Sequence, residues 1–420
     1  MFKKIRRFLS RFKILRKIYW KLIGYNPDWF RPTVDEVTPY SARRLDELGN
    51  NLRLNLILPT IDKSYIFGGI ATAVHFFDEL CNEMHANKRI IISNLHQSED
   101  LHVFNKYLLN TSSEDLVDDF QIVPYCDRNG KTIPVGKNDI FIATAWWTAY
   151  CILPIIKWQA KTYSRDALPL LYLVQDYEPG FYQWSSRQIL AESTYKSQLP
   201  VIAVFNTSLL KDYFHQQKLS FFKEYFFEPA LNKKLKQLLP QGTIKKKRQI
   251  LIYGRPATAR NGFELIVDAL RIWSHCQPDY RDWIVVSAGE KFPDVHINDD
   301  LMLKSVGKLT LEEYAHIMTE SYIGISIMIS PHPSYPPLEM STFGVKVITN
   351  NYANKNLAGF NDNIISLENY SPDCIAEELL KLCSSFNPDA KSAINDKYLT
   401  DNEIFGDITK QINIVIKNLL

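Results

Sequence analysis

A carboxylate and two arginines, each placed at the end of a strand-like run, are the residues of this sequence best suited to chemistry. Glu339 lies within Ser330 to Asn350, SPHPSYPPLEMSTFGVKVITN, where a proline-broken loop follows the run IGISIMI and leads into a short helix. The pattern predicts Glu339 in the first turn of that helix and Gly344 at its end. Such a helix start aims positive dipole and free amides at a ligand, and the carboxylate accepts two hydroxyl hydrogen bonds. Arg255 and Arg260 lie in YGRPATARNGFELIVDAL, one at a strand end and one just before a helix, where guanidinium forks neutralise a diphosphate. Taken alone they read equally well as surface arginines beside a helix cap. A nucleotide sugar, with its diphosphate and its hydroxyls, answers both features at once.

Other stretches are weaker. Gly68 and Gly69, in IFGGIATAVHFF, stand between a first strand and a first helix, where glycine lets backbone approach a phosphate or sugar closely. A glycine pair also simply closes a turn. LVQDYEPGFYQW ends a buried run with Gln175, Asp176, Tyr177 and Glu178 and then aromatic residues, a mixture that reads sugars because acids take hydroxyls and rings lie on C–H faces. The bland alternative is Asp176 as a cap or turn former. Gly289 with Glu290 ends the run VSAGE, and Gly307, Lys308 and Leu309 offer backbone in SVGKLT, where Thr310 reads as a helix N-cap. Asn206 and Ser208 read as caps, and His332 is the one histidine inside a suspected site.

The Glu339 stretch resembles the donor-site signature of family 4 glycosyltransferases, and its wording PHPSYPPLEM, with QDYEP, is closer still to the rhamnan-type, WsaF-like rhamnosyltransferases. Glu339 matches the second glutamate of that family's E-x7-E pattern, while Pro331 stands where the first would be. The arginine loop is similar to the family's G-R-x-x-x-x-K-G element, with Arg255 matching its arginine and Arg260 standing in for its lysine in a loop one residue longer. The resemblance implies a donor site of Gly68, Gly69, Arg255, Arg260, Gly289, Gly307, Lys308, Leu309, Tyr335, Pro337, Leu338 and Glu339. It implies acceptor contacts from Gln175, Asp176, Tyr177 and Glu178, with Asp176, Glu178, Arg255 and Arg260 serving the reaction. It further implies a retaining transfer without metal or cofactor, from dTDP-L-rhamnose, to a glycan acceptor that is lipid-linked. A UDP- or GDP-hexose donor, a sugar-nucleotide-binding protein without turnover, and an epimerase of the same fold are the rival readings. The absence of D-x-D agrees with a diphosphate held by arginines.

The elements that must position these residues follow from the pattern of the chain. With 420 residues and 46% hydrophobic content, two cores of ordinary domain size are affordable. Short β-branched runs alternate with helical patterns from Leu52 and again from Ile250, which predicts parallel sheets covered on both faces. The expected fold is α/β, a GT-B arrangement of two doubly wound Rossmann-like domains facing across a cleft. Residues 217–248 break the rhythm, so the expected divisions are a basic helix at 1–25, an acceptor-side domain at 26–225, a donor domain at 226–395, and a last helix at 396–420 that crosses back to the first domain. Ile140–Ile156 is apolar but only 17 residues long, and reads as a buried strand running into a helix rather than a membrane span.

Formal charge is +3, yet nine lysines and arginines and no acid lie within residues 1–25. Ile5, Phe8, Phe12, Leu15, Tyr19 and Leu22 recur at spacings of three and four, an in-plane anchor pattern for an anionic membrane surface. A helix packed on the protein's own acidic body is the other reading of residues 1–24. The six cysteines show no metal-ligand spacing and suit a reduced, cytoplasmic setting at the inner face of the membrane. No nucleic-acid partner is expected.

Overall fold

A computed structural model of the chain describes residues 34–62, 68–94, 104–111, 114–115, 120–126, 130–390, 395–400 and 404–420. The chain divides into two compact units, Met1–Pro39 and Tyr40–Leu420. The described part of the first is a single 3-10 turn at Asp35–Val37. The amphipathic pattern at 1–24 lies outside the described residues.

The second unit carries two large sheets, beside two short two-stranded ones. The first contains β1 (Arg53–Leu58), β2 (Asn87–Ile92), β3 (Leu108–Leu109), β4 (Gln121–Pro124), β5 (Asp139–Ala143), β6 (Leu170–Val174), β7 (Val201–Asn206) and β8 (Lys223–Phe227). All are parallel, in the order β8-β7-β6-β5-β1-β2-β4-β3. Every residue of β1, β5, β6 and β7 is buried, because helices cover both faces. These helices are α1 (Gly69–Met84), α2 (Trp146–Thr162), α3 (Ser186–Tyr195) and α4 (Ser208–Gln216). The apolar run Ile140–Ile156 is accordingly a buried strand followed by α2, and among the described residues no helix is long and apolar enough to cross a membrane.

The second sheet contains β9 (Lys247–Gly254), β10 (Ile284–Gly289), β11 (Val295–His296), β12 (Met302–Gly307), β13 (Ser321–Ile325), β14 (Lys346–Asn350) and β15 (Ile364–Leu367). Its order is β11-β12-β10-β9-β13-β14-β15, parallel except for β11. Around it lie α5 (Phe263–Cys276), α6 (Leu311–Glu320), α7 (Tyr335–Thr342) and α8 (Pro372–Ser384). Both sheets reverse direction of growth beside their first strand, between β1 and β5 and between β9 and β13, and each such switch point opens a crevice at the carboxyl ends. The expected pair of Rossmann-like halves is therefore present. A last helix, α9 (Gly406–Lys417), places Ile408, Ile412 and Ile416 in the core of the first half beside Phe76 and Leu80. Its Asn413 Nδ2 donates to Glu83 Oε1 at 2.8 Å.

Two local readings need correction. The aromatic stretch taken as a break in rhythm contains β8, an edge strand whose residues are mostly exposed or half-buried, so it lacks the continuous apolar run of a central strand. Helix α7 begins at Tyr335, so Pro336 and Pro337 lie inside its first turn and Glu339 in its second. Proline's fixed φ suits that turn, but it brings no N–H. The helix start therefore keeps its dipole while losing two of the amides expected to meet a ligand.

Candidate functional site at the cleft

On the second half, the loop after β9 and the loop after β13 are tied together. Asn261 Nδ2 donates to Ile327 O at 3.1 Å, and Ile329 N donates to Arg260 O at 2.8 Å. Gly289 ends β10, and the neighbouring Glu290 accepts from Ala257 N through Oε2 at 3.1 Å, which orders the arginine loop. Tyr253, near the end of β9, interacts electrostatically with Arg255, Arg260 and Glu339 together. Those three candidates therefore lie within electrostatic reach of one tyrosine, a residue that reading the motifs had passed over. Burial pushes the Glu339 carboxyl up to about 7, while the Tyr314 hydroxyl draws it down. Tyr335 and Tyr398 also stand in an electrostatic relation to it.

The other donor-side candidates divide. Gly307 ends β12, Lys308 is exposed, and Leu309 packs on the core between sheet and α6. Pro337 and Leu338 are buried, and the Leu338 side chain lies in that core with Met340 and Phe343, so it faces away from any ligand. Tyr335 instead crosses to the first half, its hydroxyl donating to Asn206 Oδ1 at 3.1 Å. Asn206 thus joins the halves rather than capping α4, a role that Thr207 takes.

On the first half, Gln175 Nε2 donates to Gly69 O at 3.0 Å. A Cβ at position 69 would come within 2.0 Å of Gln175 Oε1, so any larger residue there would displace the Gln175 side chain from this bond. Gly68 precedes it at φ 53° as the helix N-cap. Asp176 Oδ1 accepts from Tyr177 N at 2.8 Å, the turn-forming contact foreseen as the bland reading. It also crosses the cleft, because Ser330 Oγ donates to the same oxygen and Arg260 Nε stands 3.8 Å from Oδ2. Arg260 further lies over the Phe181 ring at 4.0 Å. Asp176 and Arg260, 84 positions apart in sequence order and on different sheets, are thereby neighbours.

Glu178 and Tyr177 make their closest contacts within the first half. Glu178 is buried beneath the loop, where Tyr172 OH donates to Oε2 at 3.0 Å, and burial pushes its carboxyl up to about 8. The Tyr177 ring packs on Tyr195, Tyr213 and Phe214. Alternation along a loop cannot be read as it can along a strand, so spacing carries no sign of which side chains turn inward.

The loop after β13 adds residues that the motifs did not single out. Ser330 Oγ, besides donating to Asp176, accepts from His332 N at 3.0 Å. His332 is 7% exposed, and its Nδ1 accepts from Ser334 N at 3.0 Å. Its Nε2 is buried without a partner. Burial first, then Lys355 and Arg260, push the ring down to about 4 against the pull of Asp176. Lys355, 1% exposed, donates to Met328 O at 2.6 Å, and burial lowers its ammonium to about 7. Its only sequence signal is a lysine shortly beyond a strand's carboxyl end. Among the described residues no group of three His, Cys, Asp or Glu side chains is placed to hold a metal ion.

Comparison with known proteins places the two halves separately. Residues 53–208 match the family model "WsaF, N-terminal domain", and residues 248–380 match "WsaF, C-terminal domain". An O-antigen biosynthesis protein RfbC of Myxococcus xanthus is 33% identical over 235 residues, 55% of this chain. The match spans only 17% of that relative's length. Among solved structures, WaaG, a glycosyltransferase involved in lipopolysaccharide biosynthesis, is similar with a TM-score of 0.50 at 12% identity, over 79% of this chain and 90% of that one. Sucrose-phosphate synthase from Thermosynechococcus elongatus follows at a TM-score of 0.49 and 10% identity, over 88% and 95%. At such identities the WaaG likeness is one of fold.

Proposed function

This chain belongs to the WsaF family of glycosyltransferases, and on that premise we propose that it transfers L-rhamnose from dTDP-L-rhamnose to a growing, lipid-linked polysaccharide. The observation that carries the reading is the convergence of Arg255, Arg260 and Glu339 on Tyr253 at the β9–β13 switch point. Two guanidinium groups answer a diphosphate, and a carboxylate beside them answers the hydroxyl of the nucleotide's sugar. Gly68 and Gly69 bring backbone to the diphosphate, and Gly289 with Gly307, Lys308 and Leu309 line the base. Asp176, facing Arg260 across the cleft, orients the acceptor.

The acceptor hydroxyl attacks the anomeric carbon from the face that the nucleotide leaves. As the bond from that carbon to the β-phosphate oxygen breaks, the departing phosphate takes the hydroxyl proton. Configuration is retained, and the developing charge is met by Arg255, Arg260 and the α7 dipole. Turnover unchanged in EDTA is expected. The 6-deoxy donor fits a loop with Pro331 in place of a second carboxylate. Residues 1–24 hold the chain at an anionic membrane face. Co-sedimentation with anionic liposomes should fall when the chain begins at Gly24, and equal sedimentation would remove the tether.

Calorimetry with dTDP tests the site: Glu339→Ala and Arg255→Ala should each weaken binding roughly tenfold to a hundredfold, the worth of a charged hydrogen bond. Unchanged affinity in both would overturn the assignment. A competition in which UDP-glucose or GDP-mannose is used faster than dTDP-L-rhamnose would replace the donor.

A further inference from the structure

A buried N–H without a partner is rare, because it forfeits its hydrogen bond to water and gains nothing in return. The Nε2 of His332 is such a group in a side chain more than nine-tenths buried. The proton sits on that nitrogen because Nδ1 is occupied as the acceptor of Ser334 N–H at 3.0 Å. The backbone N–H of His332 is itself fixed on Ser330 Oγ, which bonds Asp176. The Tyr335 ring, 5.6 Å away centre to centre, closes another side. The imidazole is thus held in one orientation and one tautomer, with its only free function a single donor.

We propose that His332 Nε2–H reads the transferred sugar, donating to a hydroxyl or ring oxygen of the hexose of the bound nucleotide sugar. This rests on the nucleotide-sugar reading above and adds to it a specificity-determining residue to which that reading gives no role. Position favours the sugar. Through Ser330 the His332 backbone is tied to Asp176, on the acceptor side, and its ring packs on Tyr335, the first residue of the helix that carries Glu339 on the nucleotide side. Chemistry agrees: Lys355 and Arg260 keep the buried ring uncharged, and a neutral donor suits a neutral hydroxyl where a cation would suit phosphate. Asp176 and Glu339 supply acceptors only, so His332 completes the set with a donor.

The test separates sugar from nucleotide. Wild type, His332→Phe and His332→Gln are titrated by calorimetry with dTDP and with intact dTDP-L-rhamnose, UDP-glucose and GDP-mannose. The expected result is a loss of about tenfold in affinity for the intact nucleotide sugar in His332→Phe, with the dTDP affinity kept within about twofold. Recovery is expected in His332→Gln, whose amide places a donor near Nε2–H. Equal losses for dTDP and nucleotide sugar, no loss for either, or no recovery with glutamine would each overturn the inference. The nucleotide sugar that wild type prefers judges the donor separately: a preference for UDP-glucose would refute rhamnose while the ratio in His332→Phe still decides the role of His332. Binding of none of the three would overturn both.

Discussion

At the amino ends of the first sheet Arg53, Arg89, Asp115 and Asp139 form a buried square, whereas at the carboxyl ends Asp176, Arg260, His332 and Lys355 form a buried cluster of similar size. In the square each arginine contacts both aspartates, from 2.7 to 3.5 Å. Asn55 and Gln121 take further valences, and no polar atom of these six residues lacks a partner. Two positive charges meet two negative ones. In the cleft His332 Nε2 has no partner, and Arg260 Nε makes no hydrogen bond closer than its 3.8 Å approach to Asp176. Burial there raises a carboxyl and lowers an imidazole and an ammonium. Desolvation acts in both places; the square offsets it internally, while the cleft leaves polar groups without a protein partner.

The sharpest way to break this contrast is Asp139→Asn. Removing one charge leaves two buried guanidinium groups sharing Asp115 alone, so denaturant unfolding should show a loss of about 3–5 kcal/mol. The Asp139 carboxyl is held below its ordinary value by Arg53 and Arg89 in spite of burial. Its stabilising contribution is complete above the unfolded value of ~3.9 and is lost as pH falls through the depressed folded value. Wild type should therefore lose stability in acid by a component that Asp139→Asn lacks. If the variant unfolds like wild type at neutral pH, the square is not the structural centre described here.

In the cleft the same kind of change should act on binding. Arg260→Ala should weaken dTDP binding by about 1.5–3 kcal/mol in calorimetry, with a far smaller stability change than Asp139→Asn. A large stability loss with unaltered binding would make the cleft a second structural square. Glu178 should behave in a third way. Its carboxyl is raised in the fold to about 8, so its favourable contribution is present below the unfolded value of ~4.3 and is lost as pH rises through 8. Glu178→Gln, neutral at every pH, should be more stable than wild type above pH 8 by ~1 kcal/mol or more, and no more stable at pH 5. The smallest effect is expected at the bridge between the halves: Tyr335→Phe should cost about 0.5–1.5 kcal/mol in thermal unfolding.

The contrast also explains what could be read beforehand. Glu339, Arg255 and Arg260 stood out because each lies at a strand end in a local pattern, and local patterns survive in one dimension. Ser330 and Lys355 carried little, since a serine in a loop and a lysine after a strand are ordinary until something 27 or 154 positions away faces them. The side of Glu178 could not be read because it sits in a 3-10 turn, Glu178–Phe181, too short to have a periodic face.

The sequence by itself determined the two parallel sheets, the strand ends that carry the arginine loop and Glu339, and the kinship that those motifs express. All of these depend on neighbours within a few residues, through hydrophobic periodicity, glycine and proline. Only the tertiary structure decided that Asp176 meets Ser330 and Arg260, that Glu178 turns inward, and that His332 is left with an unanswered N–H. These depend on which side chains share a desolvated volume, and that follows from the packing of two halves, not from spacing along either one.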